Sequence, residues 1–307
     1  MTKWMRQSVA VAVVALAMGQ MAWAGPVIID GTDANDHGSS GGIPTANLSG
    51  WLYMQKVLEN LAGSVAATVT KTVVNLGADS SSASSAITSA FGLSALPGLG
   101  WTLTTVDGGV AIDSWLATLS TSTTGILYIP TRGLTGGDLA PDELTAINGR
   151  ATEINTFVGG AGTPALGGGL FAMGETGSGA YGWLSTLIPG IVITDAGSGG
   201  IGNPISLTAA GNTAFPGLTN ADLSSGPWHN YFSGSLGGLS VLGTSPDGAG
   251  TTRNIILGGG VGTVIGCGEP GQPPCPENAV PEPASMLLFG IGGLAAGFSR
   301  MRKFFTV

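Results

Sequence analysis

A chain of 307 residues with 43% hydrophobic and only 9% charged side chains can bury a substantial core, and its length fits one large domain or two small ones. Ten Lys and Arg stand against 18 Asp and Glu, and five of the ten (Lys3, Arg6, Arg300, Arg302, Lys303) lie in the terminal segments; residues 25–265 hold the other five basic side chains against 15 acidic ones, a balance of −10. A surface of that sign repels nucleic acid and anionic lipid and favours cations or neutral glycans, which excludes a nucleic-acid partner.

The chain opens on an export signal. Lys3 and Arg6 form a positive n-region, Val9 to Met18 an apolar core, and Ala22-Trp23-Ala24 a small-x-small cleavage pattern before Gly25. Residues 1–24 are therefore expected to be removed outside the cytoplasm, since the apolar core is too short to remain as a membrane span.

Strands and helices then alternate. Val27-Ile28-Ile29-Asp30 is an apolar run ending in Asp-Gly, and Trp51 to Leu61 carries apolar positions at Leu52, Val57, Leu58 and Leu61, close to helical period. The pattern recurs as strand Thr72–Leu76 with helix Ser84–Phe91, strand Trp101–Val106 with helix Ile112–Leu119, and strand Gly125–Pro130 with a helix from near Pro141. Pro141 suits a first-turn position after Asp138 or Ala140, Asp142 and Glu143 suit the positive end of the dipole, and Leu144, Ile147, Ile154 and Phe157 mark a stripe that ends near Gly159-Gly160. Strand Gly169–Met173, a short helix around Tyr181 to Leu187 and strand Ile191–Ile193 follow. Near-continuous apolar strands in such alternation predict an α/β body with an open, mostly parallel, flavodoxin-like sheet and helices on both faces.

In a sheet of that kind ligands bind beyond the carboxyl ends of the strands. That edge should gather Asp30, Asp33, Asp36 and His37 after the first strand, Asp107 after the third, Glu175 after Gly169–Met173, and His229 from the Trp228-His229-Asn230 segment. Such a set can bind a divalent cation, or can use His229, Glu175 and His37 in acid–base chemistry. The structural alternative is turn-forming Asp and Asn, a helix cap at Glu175 and a core aromatic at Trp228 with an incidental neighbour in His229. The Asp30–Asp36 loop lacks the glycine and terminal Glu of an EF-hand at their offsets. The clusters Gly159-Gly160-Ala161-Gly162, Gly167-Gly168-Gly169 and Gly258-Gly259-Gly260 precede no Lys-Ser/Thr and read as turns and connections. No fixed-period repeat is present.

From residue 266 to 279 a Pro/Gly-rich linker holds Cys267 and Cys275, the two cysteines of the chain. With no His nearby they make no zinc site, and an exported compartment favours their pairing in a disulfide that staples the end of the body. Val280-Pro281-Glu282-Pro283-Ala284-Ser285 then opens into the apolar run Met286 to Phe298, closed by Arg300, Arg302 and Lys303. The 16 residues from Ala284 to Ser299, four of them Gly, fall short of the roughly 17 to 25 a stable spanning helix needs. A weak transmembrane sorting helix with cations on the cytoplasmic side fits better than a permanent anchor.

Residues 280–307 resemble the PEP-CTERM tail, with polar-proline motif, apolar span and basic cluster in order. The resemblance implies recognition and processing by an exosortase near Pro-Glu-Pro, passage through the inner membrane, and delivery to the cell surface or extracellular matrix. The body, residues 25–265, resembles class I glutamine amidotransferase-like proteins of the trehalose-utilisation type. The likeness is carried by the order of elements, by the turn Gly169-Leu170-Phe171-Ala172-Met173-Gly174-Glu175, and by Phe215-Pro216-Gly217-Leu218 with Trp228-His229-Asn230-Tyr231-Phe232. Members of that family carry a nucleophilic Cys on the corresponding turn, where this chain has Ala172, Met173, Gly174 and Glu175. Glutamine hydrolysis by the family's mechanism is therefore not expected. Two functions remain: a non-catalytic surface or matrix protein associated with exopolysaccharide, and an extracellular hydrolase or sugar-active enzyme on a degenerate scaffold.

Overall fold

The computed structural model describes residues 26–37, 50–77, 82–131, 139–159, 167–174, 181–196, 203–223 and 228–259. The Cys267/Cys275 pair, the linker and the tail lie outside the described residues, as does the export signal. Among the described residues no helix is long and apolar enough to cross a membrane.

Among the described residues ten strands form one sheet: β1 Val27–Asp30, β2 Thr72–Leu76, β3 Thr102–Val106, β4 Ile126–Ile129, β5 Gly169–Met173, β6 Ile191–Asp195, β7 Ser206–Leu207, β8 Asn230–Gly234, β9 Ser240–Pro246 and β10 Thr252–Gly259. Described helices are α1 Ala34–His37, α2 Gly50–Ser64, α3 Ser82–Leu93, α4 Gly109–Leu116, α5 Pro141–Gly149, α6 Ala151–Val158, α7 Leu184–Leu187 and α8 Ala209–Ala214.

The parallel half runs in the order β3-β2-β4-β5-β1. Counted from β2, with β1 taken last, this is the 2-1-3-4-5 order of doubly wound sheets, its final strand supplied by the N-terminal segment. β1 pairs parallel with β5 on one side and antiparallel with β10 on the other. Beyond it the sheet is antiparallel throughout: β8, β6 and β9 pair that way, as does β7 with β9. The expected mostly parallel sheet is thus parallel over five of its ten strands. Ile191–Asp195 marks the departure, because it joins β8 antiparallel instead of extending the parallel set. Its partial exposure beyond Ile191, with Val192 half exposed, separates it from the strands covered on both faces.

Alternate residues of each parallel strand feed two cores. Val27, Ile29, Val74, Leu76, Leu127 and Ile129 join Leu144, Ile147, Ile154 and Phe157 beneath α4 to α7. Ile28, Val73, Ile126, Tyr128, Phe171 and Met173 join Tyr53, Leu58, Ile87 and Phe215 beneath α2, α3 and α8. Period-2 side-chain alternation in strands with both faces covered produces this division. On the second face Tyr53 stands edge-on to Phe171 and Phe215, at 6.2 and 5.5 Å between centroids, geometry that adds about 1 kcal/mol per pair to area burial.

Two details differ from expectation. The single helix from Pro141 is two, α5 and α6, broken at Arg150 with φ −110° and ψ 25°. Asn148 and Gly149 weaken the helix there, and the freed Arg150 forks onto Asp113 of α4 at 2.7 and 2.8 Å while also reaching Glu153 at 3.0 Å. Gly258 and Gly259 are not a connection but the end of β10, where a methyl on Gly258 would come 2.4 Å from Leu242 Cδ1.

Gly31 sits at a close backbone crossing. Its N–H donates to the Ile255 carbonyl at 2.9 Å, and its own carbonyl accepts from His229 N–H and Asn230 N–H at 2.9 and 3.0 Å. A Cβ there would stand 2.0 Å from the Asn230 carbonyl oxygen. Gly31→Ala is predicted to lower the unfolding free energy by about 3 kcal/mol, read as a lower urea midpoint at unchanged slope. Gly92→Ala, on α3 with nothing within 4 Å, is predicted to raise it by roughly 0.5–1 kcal/mol through helix propensity.

Candidate functional site

β10 changes partners beside Gly31. Residues 256–259 pair with β1, Asn254 pairs with Phe232 of β8, and the register shifts on its other edge fall between Asn254 and Leu257. β1 therefore ends where β8 begins, and an isolated antiparallel bridge from Thr32 to Trp228 closes the junction. The polar groups expected at an open carboxyl edge are instead enclosed in this seam.

Asp30 is fully buried. Its Oδ1 accepts from Thr32 N–H at 2.8 Å and its Oδ2 from the Thr32 hydroxyl at 2.9 Å, an Asx-type turn that steers the chain out of the strand. The Tyr53 hydroxyl of α2 approaches the same carboxyl without completing a hydrogen bond of ordinary geometry. From the opposite face Tyr181 donates its hydroxyl to the Asp30 backbone carbonyl. Burial outweighs the two Thr32 contacts and lifts the Asp30 pKa from 3.8 to about 7, and the nearby Asp33 charge adds to the rise. Burial likewise pushes the Tyr53 and Tyr181 phenols well above their ordinary range.

Three residues on, Asp33 Oδ2 meets His229 Nε2 at 3.1 Å, with side-chain exposures of 2% and 9%. The sequence separation is 196 residues, so the contact ties the first loop of the body to the start of β8. Asn35 extends the network, its Nδ2 donating to Thr131 Oγ1 at 3.0 Å beyond β4. Asn230 is buried beside Gly174, where a Cβ would stand 2.2 Å from the Tyr181 ring and 2.7 Å from Asn230 Oδ1. The absent side chain at Gly174 is what lets Tyr181 reach Asp30.

Asp30, Asp33 and His229 thus lie together in the seam, and Asp36 is half-buried on α1 with its N–H bonded to the Asp33 carbonyl at 2.8 Å. Asp107 does not join them. β3 lies four strand positions from β1, about 19 Å at the spacing of paired strands, and Asp107 instead faces Glu143 of α5. Glu143 accepts from Gly108 N–H at 2.8 Å and Ala140 N–H at 2.7 Å, clamping the turn after β3 to the start of α5. Burial and the adjoining Asp107 raise its pKa. His37 ends α1, but its side chain and the whole of Glu175 lie outside the described residues. Trp228 is a core aromatic whose Nε1 donates to Ser245 Oγ at 2.8 Å.

Sequence pattern alone singled out neither tyrosine. Tyr53 occupies the apolar stripe of α2 and Tyr181 the start of a short turn, and their hydroxyls gain meaning only once β1 is placed between those elements. Among the described residues no three His, Cys, Asp or Glu side chains could together hold a metal ion. In chemical terms the seam offers one carboxyl that changes charge near neutral pH and one imidazole–carboxylate pair, both nearly sealed from solvent.

The raised Asp30 pKa makes stability depend on pH. The folded state binds this proton up to about pH 7 and the unfolded chain only to about 3.8, so the group's stabilising contribution is full below pH 4 and is lost as pH rises through 7. The loss amounts to about 4 kcal/mol. Asp30→Asn is predicted to remove that slope, so that urea unfolding at pH 5 and pH 8 differs less than in the parent protein. An equal slope in both would place the titration elsewhere.

A model described as the PEP-CTERM protein-sorting motif matches residues 279–303. No curated protein and no solved structure matches the chain. The matched segment marks an exported protein that is processed by an exosortase.

Proposed function

We propose that the chain is displayed at the cell surface or in the extracellular matrix through its sorting tail, and that its α/β body serves there as a non-catalytic module associated with exopolysaccharide. The sorting motif carries this proposal. The two polar clusters support the non-catalytic half, because their carboxylates are spent on holding loops: Asp30 on Thr32, Asp33 on His229, Glu143 on Gly108 and Ala140. The acidic, sparsely charged body suits neutral glycan chains better than anionic polymers.

An extracellular hydrolase or sugar-active enzyme is the competing function, and the Asp33–His229 pair is the observation in its favour, since imidazole held by carboxylate is the usual acid–base couple. The turn after β5, where amidotransferase-like proteins place their nucleophile, has Gly174 after Met173 and no thiol.

One experiment separates the two. The cell-surface form, mixed with exopolysaccharide from the producing cells, is predicted to co-sediment with it and to release no new reducing ends. His229→Ala is predicted to cost about 1–3 kcal/mol of stability by removing the buried Asp33–His229 contact, and to weaken co-sedimentation only in proportion to the unfolded fraction. Release of reducing ends that His229→Ala abolishes at unchanged folded fraction would instead establish the hydrolase.

A further inference from the structure

β3 is an open edge. It pairs in parallel with β2 over its whole length and has no described strand on its other side. Thr102 N–H donates to the Lys71 carbonyl at 2.9 Å, and the Val106 carbonyl accepts from Gly77 N–H at 2.7 Å, so the peptide groups of Thr102, Thr104 and Val106 face β2. Those of Leu103 and Thr105 face outward, and their N–H and C=O find no partner among the described residues. Thr102, Thr104 and Thr105 are exposed, and Leu103 and Val106 are half-buried.

The strand lacks the devices that keep sheet edges apart. Thr102-Leu103-Thr104-Thr105-Val106 holds no charged residue and no Pro, and its register with β2 runs without a bulge. Other edge strands differ: β7 is two residues long, and β6 ends in Asp195. The two ends of β3 also carry opposite charge. Lys71 Nζ donates to the Leu99 carbonyl at 2.9 Å, which holds a cation where the chain enters β3, and Asp107 is exposed where it leaves. Antiparallel pairing of two copies sets each cation toward the other copy's carboxylate, whereas parallel pairing would set like beside like.

We propose that two copies of this chain pair their β3 strands antiparallel about a two-fold axis at Thr104, joining their sheets into one. The free peptide groups set the register. Leu103 of one copy stands opposite Thr105 of the other and exchanges two hydrogen bonds with it, and the symmetric pair repeats them. Thr104 then meets its own counterpart in a non-hydrogen-bonded pair, with Cα atoms about 4.5 Å apart, and Thr102 lies opposite Val106. Cross-strand contacts between such β-branched side chains stabilise the pairing. An isologous contact of this kind closes at two copies. One edge strand buries less than the roughly 800 Å² per partner of a standard interface, so the dimer is weak and forms where copies are concentrated. It does not depend on the sorting function above.

Cross-linking tests both the contact and its register. The full chain in detergent, with Cys267→Ser and Cys275→Ser, receives a single cysteine through Thr104→Cys or Thr102→Cys. Across the axis the two cysteines at 104 fall within disulfide reach, whereas those at 102 lie about 13 Å apart along the strands. Mild oxidation is expected to give covalent dimer from the 104 variant at least about tenfold faster than from the 102 variant. A second pair of variants needs no cysteine chemistry. Thr104→Lys and Thr104→Glu each place like charges opposite one another, and each is expected to sediment as a monomer at concentrations where the parent chain dimerises; their equimolar mixture is expected to recover the dimer. Thr104 is exposed, so the urea midpoints of these variants are expected to match that of the parent. Equal cross-linking at 102 and 104 in folded chains, a dimer that the Lys and Glu variants keep, or a parent that stays monomeric at high concentration because a segment of its own chain covers the edge, overturns the proposal.

Discussion

The placement of β1 between β5 and β10 is the constraint on which the rest of the body depends. Four residues, Val27 to Asp30, hydrogen-bond in parallel to one neighbour and antiparallel to the other, so this short strand joins the doubly wound half of the sheet to its antiparallel half. All four are buried. The strand must also stop abruptly, because β8 follows it along β10, and Gly31 is the residue whose missing side chain permits both contacts. The Asp30 carboxyl turns the chain through Thr32, and the Asp33–His229 pair pins the loop to β8. A sealed carboxyl with a pKa near 7 is a costly way to build a turn. Burial forces the cost, since the groups that hold Asp30 reach it from both faces of the sheet.

Much of the parallel half was legible in the sequence, and for a physical reason. Strands covered on both faces need continuous apolar runs, and Val27–Asp30, Thr72–Leu76, Ile126–Ile129 and Gly169–Met173 supply them, so these strands and the helices between them stand close to where periodicity puts them. The antiparallel half gave no such signal. β9 and β10 carry only the short apolar runs Val241-Leu242 and Ile255-Ile256-Leu257 among Gly, Ser, Thr and Asn, and the Gly258-Gly259 pair that ends β10 looks like a connection unless one knows that Leu242 and Ile28 need the space. Strand order was the second thing hidden. Asp107 and Asp30 both follow parallel strands, and only the placement of β3 at the sheet edge shows that they belong to different clusters. Glu143 read as a dipole-favouring residue of a first turn, yet it also clamps the neighbouring loop, a role that exists only when α5 lies against the turn after β3.

The polar residues picked out by sequence fall into three groups. Asp30, Asp33 and His229 converge, although inside a seam and not on an open edge. Asp107 departs to Glu143. His37 and Glu175 fall where side chains lie outside the described residues. Convergence and burial together favour a structural duty for the first group, and the sorting motif supplies the part of the function that the body's chemistry does not. Export and processing by an exosortase follow from the sorting motif, and the first and last strands of the described body lie side by side, with Val27 the register partner of Gly259.

The function of the protein depends on the fate of its tail. The intact mass of the protein recovered from the native cell surface, compared with the form retained in the membrane, tests it most directly. A surface form that has lost residues 1–24 and everything after about Pro281 is the predicted result. A surface form that keeps its tail, with the mass of an uncleaved C-terminal segment, would contradict it and make the chain a membrane-anchored protein.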